Sequence, residues 1–201
     1  MKRMIKNIVF DMGGVLIRWD PEGFVRDLGL NEADSALLLE NVYGNPLWAQ
    51  MDWGNCSEQD VYDDACTKLP ERLHEYAHRL VFKWCWPVQP LEGMEEFVAE
   101  CKQAGKMVYL LSNASHRQKD YWPTIPASRY FDGRVVSAEI GHVKPGREIF
   151  EHLLNTYGLK AEECVFIDDL WQNVLGAMKA GLHGVVFDGD VARLRRILSL
   201  M

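Results

Sequence analysis

Four places along the 201-residue chain carry side chains suited to handling a phosphoryl group. Asp11 closes an apolar run in FDMGGVL, Ser112 and Asn113 follow another in LLSNAS, Lys144 lies in HVKPGREIF, and Asp168 with Asp169 end a run in FIDDLWQN. A phosphoryl group demands an in-line nucleophile, donors and positive charge around its oxygens, and a divalent cation to quench repulsion between two anions. Each part is present. Asp11 is the candidate nucleophile, because a carboxylate attacks phosphorus once its own charge is partly neutralised. Mg²⁺ shared by Asp11 and the acidic pair Asp168 and Asp169 would do so. Ser112, Asn113 and the amides after them can donate to phosphate oxygens, and Lys144 supplies positive charge. Singly, each has a plainer reading as a turn residue, a helix cap or a surface lysine. Their joint occurrence carries the inference.

Residues so far apart meet only if a fold gathers them. Apolar, β-branched runs at 5–10, 107–111, 135–136, 165–167 and 185–187 read as buried strands. Between them, Met94, Phe97, Val98 and Cys101 repeat with helical spacing up to Gly105. Ile149, Phe150, Leu153, Leu154 and Tyr157 mark a helix starting near Pro145 and stopping at Gly158. Further helices are expected over 171–180, ending at Gly181, and 191–200, where Arg193, Arg195 and Arg196 face outward and Leu194, Ile197 and Leu198 inward. Alternation of this kind predicts an α/β fold, a Rossmann-like, doubly wound parallel sheet core whose ligands collect at the carboxyl edge of the strands. Residues 18–90 differ in texture. They hold no strand-like run but several candidate helices, with Asn31 and Asp34, and Ser57 and Asp60, as N-cap pairs. The expected division is a core of 1–17 and 91–201 with an inserted all-helical cap of 18–90. Most tryptophans of the insertion should be packing residues. Trp19, just after the Asp11 loop, is the candidate for lining a pocket, where a sugar ring could pack on its face.

Composition excludes several functions. A formal charge of −7 opposes nucleic acid or anionic lipid as a partner through overall charge, so any anion, a small phosphorylated metabolite included, must be held by a specific site. Five cysteines without a CxxC pair fit reduced thiols, the N-terminal residues lack the apolar stretch of a signal peptide, and no run is long enough to span a bilayer. A cytoplasmic location is expected. The oligomeric state is not encoded in these features. His74, Glu75 and His78 match HExxH, but they lie in the polar insertion without a third ligand at a recognisable spacing, and read as exposed histidines on a solvated helix face.

The order Asp11, Ser112, Lys144, then Asp168 and Asp169 resembles the haloacid dehalogenase superfamily over essentially the whole chain. SNASHRQKDYWP, VKPGREIF and FIDDLWQN are similar to the branch that contains sugar-1-phosphate phosphatases and the phosphatase domain of soluble epoxide hydrolases. The resemblance implies Mg²⁺-dependent phosphatase activity through an aspartyl-phosphate. It also implies Asp169 as direct metal ligand, Asp168 as its support, the Gly13 carbonyl as a further ligand, and a cap that closes over substrate. One position departs from the pattern: most such phosphatases carry a second Asp two residues after the nucleophile, and here that residue is Gly13. An acidic leaving hydroxyl, as in a sugar 1-phosphate, would need less help from such an acid, and His116 or a cap residue could stand in for it. Two rival readings are a dehalogenase, whose Asp attacks carbon without a metal, and a non-catalytic binding or regulatory protein on the same fold. The adjacent carboxylates oppose the first, because they serve nothing without a cation.

Overall fold

The computed structural model of the chain describes residues 5–199; the first four residues of the N-terminal run and Leu200, expected at the end of the last helix, lie outside them. Five parallel strands form one sheet in the order β3-β2-β1-β4-β5: β1 Asn7–Phe10, β2 Met107–Ser112, β3 Gly133–Val136, β4 Cys164–Asp168 and β5 His183–Val186. Among the described residues eleven α-helices accompany them. In chain order they are α1 Pro21–Arg26, α2 Glu32–Leu38, α3 Pro46–Asp52, α4 Glu58–Lys68, α5 His74–Lys83, α6 Met94–Gln103, α7 Gln118–Tyr121, α8 Ser137–Ile140, α9 Arg147–Tyr157, α10 Trp171–Lys179 and α11 Val191–Ser199.

Strand residues alternate between two cores, as the two-residue period of a strand requires. Ile8, Phe10, Val108, Leu110, Val165 and Ile167 pack with Phe97 and Val98 of α6 and Leu194 of α11 on one face. Val9, Tyr109, Leu111, Cys164 and Phe166 pack with Ile149, Phe150 and Leu153 of α9 and Ala177 of α10 on the other. Each wholly buried phenylalanine contributes about 1.5–3 kcal/mol, so β1 is held from both sides. It is also the central strand, with Phe10 opposite Leu110 of β2 and Ile167 of β4. That register brings the residues after three strands to one edge.

Gly105 and Gly158 follow α6 and α9 at φ of 76° and 63°, the left-handed conformation that ends a helix. Pro145 does not open α9 in the expected way. Gly146 is its N-cap, and its amide closes a turn onto the Val143 carbonyl at 2.9 Å, so the proline belongs to the loop that presents Lys144.

The chain leaves the core and returns beside itself. Ile17 bridges to Pro90, the Arg18 amide donates to the Gln89 carbonyl at 2.8 Å, and the Leu91 amide to the Leu16 carbonyl at 3.0 Å. Between these points α1–α5 surround their own core, with Leu38, Val42, Val61, Ala65, Ala77 and Val81 buried in it. Asn31 caps α2, and Ser57 with Asp60 forms a reciprocal capping box on α4. His74 and His78 are half-buried rather than exposed. His74 Nε2 lies 3.0 Å from the Leu69 carbonyl, and the His78 ring stands edge-on to Tyr62. Both rings are taken up in packing, and among the described residues no group of three possible metal ligands includes them. Among the described residues no helix is long and apolar enough to cross a membrane, and all five cysteines are free.

Candidate active site

The carboxyl edge of the sheet holds a buried charge cluster. Asp11 follows β1, its amide still paired with the Ile167 carbonyl at 2.9 Å, and Asp168 is the last residue of β4. Lys144 Nζ lies between them, 2.7 Å from Asp11 Oδ1 and 2.7 Å from Asp168 Oδ2. All three are buried: Asp11 is 7% exposed, Lys144 4% and Asp168 0%. Asp168 is further held by Asn173 of α10, whose Nδ2 donates to both carboxylate oxygens at 3.1 and 3.0 Å, and by the Leu170 amide at 2.8 Å. Sequence reasoning passed over Asn173, although it stands five residues after Asp168 in the first turn of a helix.

The cluster is short of positive charge. Asp11, Asp168 and Asp169 can each offer an oxygen within 4.8 Å of the others, and the one ammonium in contact with them cancels a single charge. Two negative charges remain, which suits a divalent cation with oxygen ligands. Burial raises the Asp11 carboxyl, the Lys144 charge pulls it back and Asp168 pushes it up again. Asp169 is likewise raised by burial and then by Asp168. Burial would depress Lys144, but Asp11 and Asp168 more than reverse this and hold it protonated. The positions of the three carboxylates can accommodate a metal ion, and Asp11 is paired with the Lys144 ammonium.

The loop after Asp11 is shaped around Asp169. Gly14 has φ of 73°, its amide donates to the Ile17 carbonyl at 2.9 Å, and a Cβ on it would stand 2.4 Å from Asp169 Oδ2. Gly14→Ala should therefore strain the loop by about 1–2 kcal/mol and push Asp169 aside. We expect the affinity for Mg²⁺, read by calorimetry, to fall on the order of 10–100-fold; an unchanged affinity would show that Asp169 can hold the ion from elsewhere.

Over the cluster lies a cavity of about 300 Å³ between the carboxyl edge of the sheet and helices α3–α5. Of the residues marked by sequence, Asp11, Gly13, Trp19, Asn113, Lys144 and Asp169 line it. Asp168 and Ser112 sit beneath, and the Ser112 hydroxyl, 1% exposed as a residue, makes a long 3.4 Å hydrogen bond to the Asn113 carbonyl. The Asn113 side chain is already engaged. Its Nδ2 donates to the Lys144 carbonyl at 3.0 Å and its Oδ1 accepts from the Lys144 amide at 2.8 Å, so it latches the lysine loop to the end of β2. His116 is exposed, outside the lining, and faces Gly54. Segment 18–90 contributes Trp48, Met51, Val81 and Trp84 to the wall, together with two acids, Glu58 and Asp52, and burial pushes the Asp52 carboxyl up to about 7. Trp19 stands edge-on to Phe24, Tyr43 and Trp84.

A doubly wound parallel sheet with a lysine paired to two buried carboxylates and an acidic group able to hold a metal at its carboxyl edge is the frame of a class of hydrolase. The haloacid dehalogenase-like hydrolase family matches residues 5–181, and the chain belongs to it. It is 28% identical to a sesquiterpene phosphatase of Aspergillus oryzae, over 98% of this chain and 96% of that one. It is 26% identical to a D-ribitol-5-phosphate phosphatase of Bacteroides thetaiotaomicron, over 85% and 86%. A haloacid dehalogenase-family enzyme of the same bacterium, solved with magnesium and inorganic phosphate, shares the fold at a TM-score of 0.69 and 22% identity, over 94% of this chain and 98% of that one.

Proposed function

We propose that the chain is a Mg²⁺-dependent phosphoric monoester hydrolase in which Asp11 is transiently phosphorylated. The observation that carries this is the contact of Lys144 with both Asp11 and Asp168 at the floor of a cavity that Asp169 also lines. Asp11 attacks phosphorus in line, and the bond to the leaving oxygen breaks. Water then opens the aspartyl-phosphate and frees inorganic phosphate. Lys144 orients the Asp11 carboxylate and offsets charge gathering on the phosphoryl oxygens. Asn113 keeps Lys144 in place through its backbone, and Asn173 keeps Asp168 turned toward the lysine. Asp11, Asp169, Asp168 and the Gly13 carbonyl are the groups that would hold Mg²⁺, which when bound supplies charge neutralisation to an anion attacking an anion. Ser112 and the amides after it would, in this reading, donate to the phosphate oxygens.

The substrate is a small phosphorylated metabolite whose leaving group enters the cavity. A sugar 1-phosphate would set its ring against Trp19 or Trp84. The wall of Trp48, Met51, Val81 and Trp84 also favours a second reading, an apolar leaving group such as a prenyl chain, because the polar cap side chain Glu58 is already bonded to Ser115. A panel of sugar, alkyl, prenyl and aryl phosphates, assayed for phosphate release with Mg²⁺ and with chelator, tests both. Release that requires Mg²⁺ supports the proposal; halide release from haloacids without metal would replace it with the dehalogenase reading.

A further inference from the structure

Phosphoryl transfer to Asp11 needs one more part, a proton for the departing oxygen. Expelling an alkoxide is much harder than expelling an alcohol, and a positioned acid contributes about 10²–10⁴-fold. Among the described residues that line the cavity, the core carboxyls Asp11 and Asp169 are, in the reading above, the nucleophile and a metal ligand. Position 13 has no side chain, and a Cβ there would lie 3.2 Å from Trp19 Cβ, on a tryptophan fixed by its aromatic neighbours. Lys144 is committed to two carboxylates. An acid must come from across the cavity.

We propose that Asp52, carried to the cavity at the end of α3, is the general acid for phosphorylation of Asp11 and the general base for the hydrolysis that follows. The proposal rests on the phosphatase reading above. Asp52 lines the same cavity as Asp11, Lys144 and Asp169, and among the described residues its carboxyl has no hydrogen-bond or ion-pair partner. It faces those three groups from the core, together with Tyr121 and Cys85. Glu58 and Arg117 also face it, but Glu58 bonds to Ser115 Oγ, and Arg117 donates to the Phe82 carbonyl at 3.0 Å. Asp52 is the one carboxyl in the lining supplied by the cap and left uncommitted.

Its position is built at both ends of α3. Asn45, 4% exposed, caps the helix through the Leu47 amide and donates to Asp64 of α4 at 2.7 Å. Two residues past Asp52, Gly54 at φ of 76° lies so close to the core that a Cβ would stand 2.5 Å from the Ala138 carbonyl. The cap thus rests on α8 at the point that aims Asp52 into the site. Burial, only partly opposed by Lys144, keeps its carboxyl protonated up to about 7. An ordinary surface aspartate would have lost that proton near 4.

The two steps balance. As the bond from Asp11 to phosphorus forms, the ester bond breaks, and its oxygen takes the Asp52 proton to leave as the alcohol. Asp52, now a carboxylate, accepts a proton from the water that attacks the aspartyl-phosphate; inorganic phosphate leaves, Asp11 is freed and Asp52 is again an acid.

The test compares wild type with Asp52→Asn on the fastest alkyl phosphate of the panel and on p-nitrophenyl phosphate, whose leaving group needs no proton. With the alkyl ester, the variant should be slower by about 10²–10⁴-fold, and the alkaline fall of the wild-type rate near pH 7 should vanish. With the aryl ester, the variant should release one equivalent of nitrophenol at close to the wild-type rate and then stall as phosphoenzyme. That burst also proves the variant folded. A similar loss on both substrates in the first step, or no loss on either, overturns the assignment of Asp52 while the phosphatase reading stands. A wild type that releases phosphate from no ester overturns both. In thermal melts, a carboxyl raised from 3.8 to about 7 costs nothing below pH 3.8 and destabilises increasingly as pH rises to 7. Asp52→Asn should therefore melt above wild type at pH 8 and converge with it at pH 4; a lower melting temperature at pH 8 would contradict the placement.

Discussion

Asp11→Asn should reduce Mg²⁺-dependent phosphate release on the order of 10⁴–10⁶-fold, the size of loss seen when a nucleophile is removed from a site that otherwise stays assembled. The amide has almost the shape of the carboxylate but cannot form the acyl-phosphate bond. Its fold should survive. Lys144 keeps Asp168 at 2.7 Å, and deleting one carboxylate from a cluster with three acids and one ammonium relieves repulsion rather than creating an unpaired charge. A melting temperature equal to or above wild type, together with loss of phosphoenzyme after acid quench of a labelled substrate, is the expected pair of results. A variant that stays folded and keeps more than about 1% of the activity would place the nucleophile elsewhere, since no neighbouring group should replace it so well.

The parts of this molecule written in short-range pattern were legible, and the parts made by docking were not. Each strand is a brief apolar run, and the runs ahead of Asp11 and Asp168 stop at an acid because the chain leaves the sheet there. Gly105 and Gly158 end helices for a reason local to their own backbone, so spacing alone located them. The Asp11, Lys144, Asp168 and Asp169 cluster could be anticipated because a parallel sheet sends all its strand ends to one edge. Asn113 shows the first limit. Its amide could serve a ligand or a backbone with equal chemistry, and only the path of the 143–146 loop commits it to Lys144. HExxH shows another, since two histidines one turn apart look alike whether they wait for zinc or pack on Tyr62 and the Leu69 carbonyl. Asp52 is the clearest case. It stands between Met51 and Trp53 without any motif, and its meaning arises only when Gly54 meets Ala138, 84 positions further along the chain.

Lys144→Met should destabilise the protein more than any other single change in the site. The methionine fills much of the lysine stem's volume, so the main loss is the ammonium from between Asp11 and Asp168, which are 7% and 0% exposed. Removing one partner from such a buried group leaves the others charged without compensation, at a cost of about 3–5 kcal/mol. For a chain of this length that corresponds to a melting temperature lower by roughly 10–15 °C. Lys144→Arg should not rescue it, because a planar guanidinium is too broad for a side-chain site 1% exposed and cannot hold the same two oxygens from a point. Mg²⁺ should raise the melting temperature of Lys144→Met more than that of wild type, since a cation bound only by the folded state stabilises it by mass action and here also meets a larger charge deficit. Activity should nevertheless stay at least about 10³-fold down, because the lysine's donors to the phosphoryl oxygens are not restored. A Lys144→Met protein that melts within about 3 °C of wild type would mean that the carboxylates had been taken up protonated or drawn into solvent, and that the cluster's charge is not what organises this edge of the sheet.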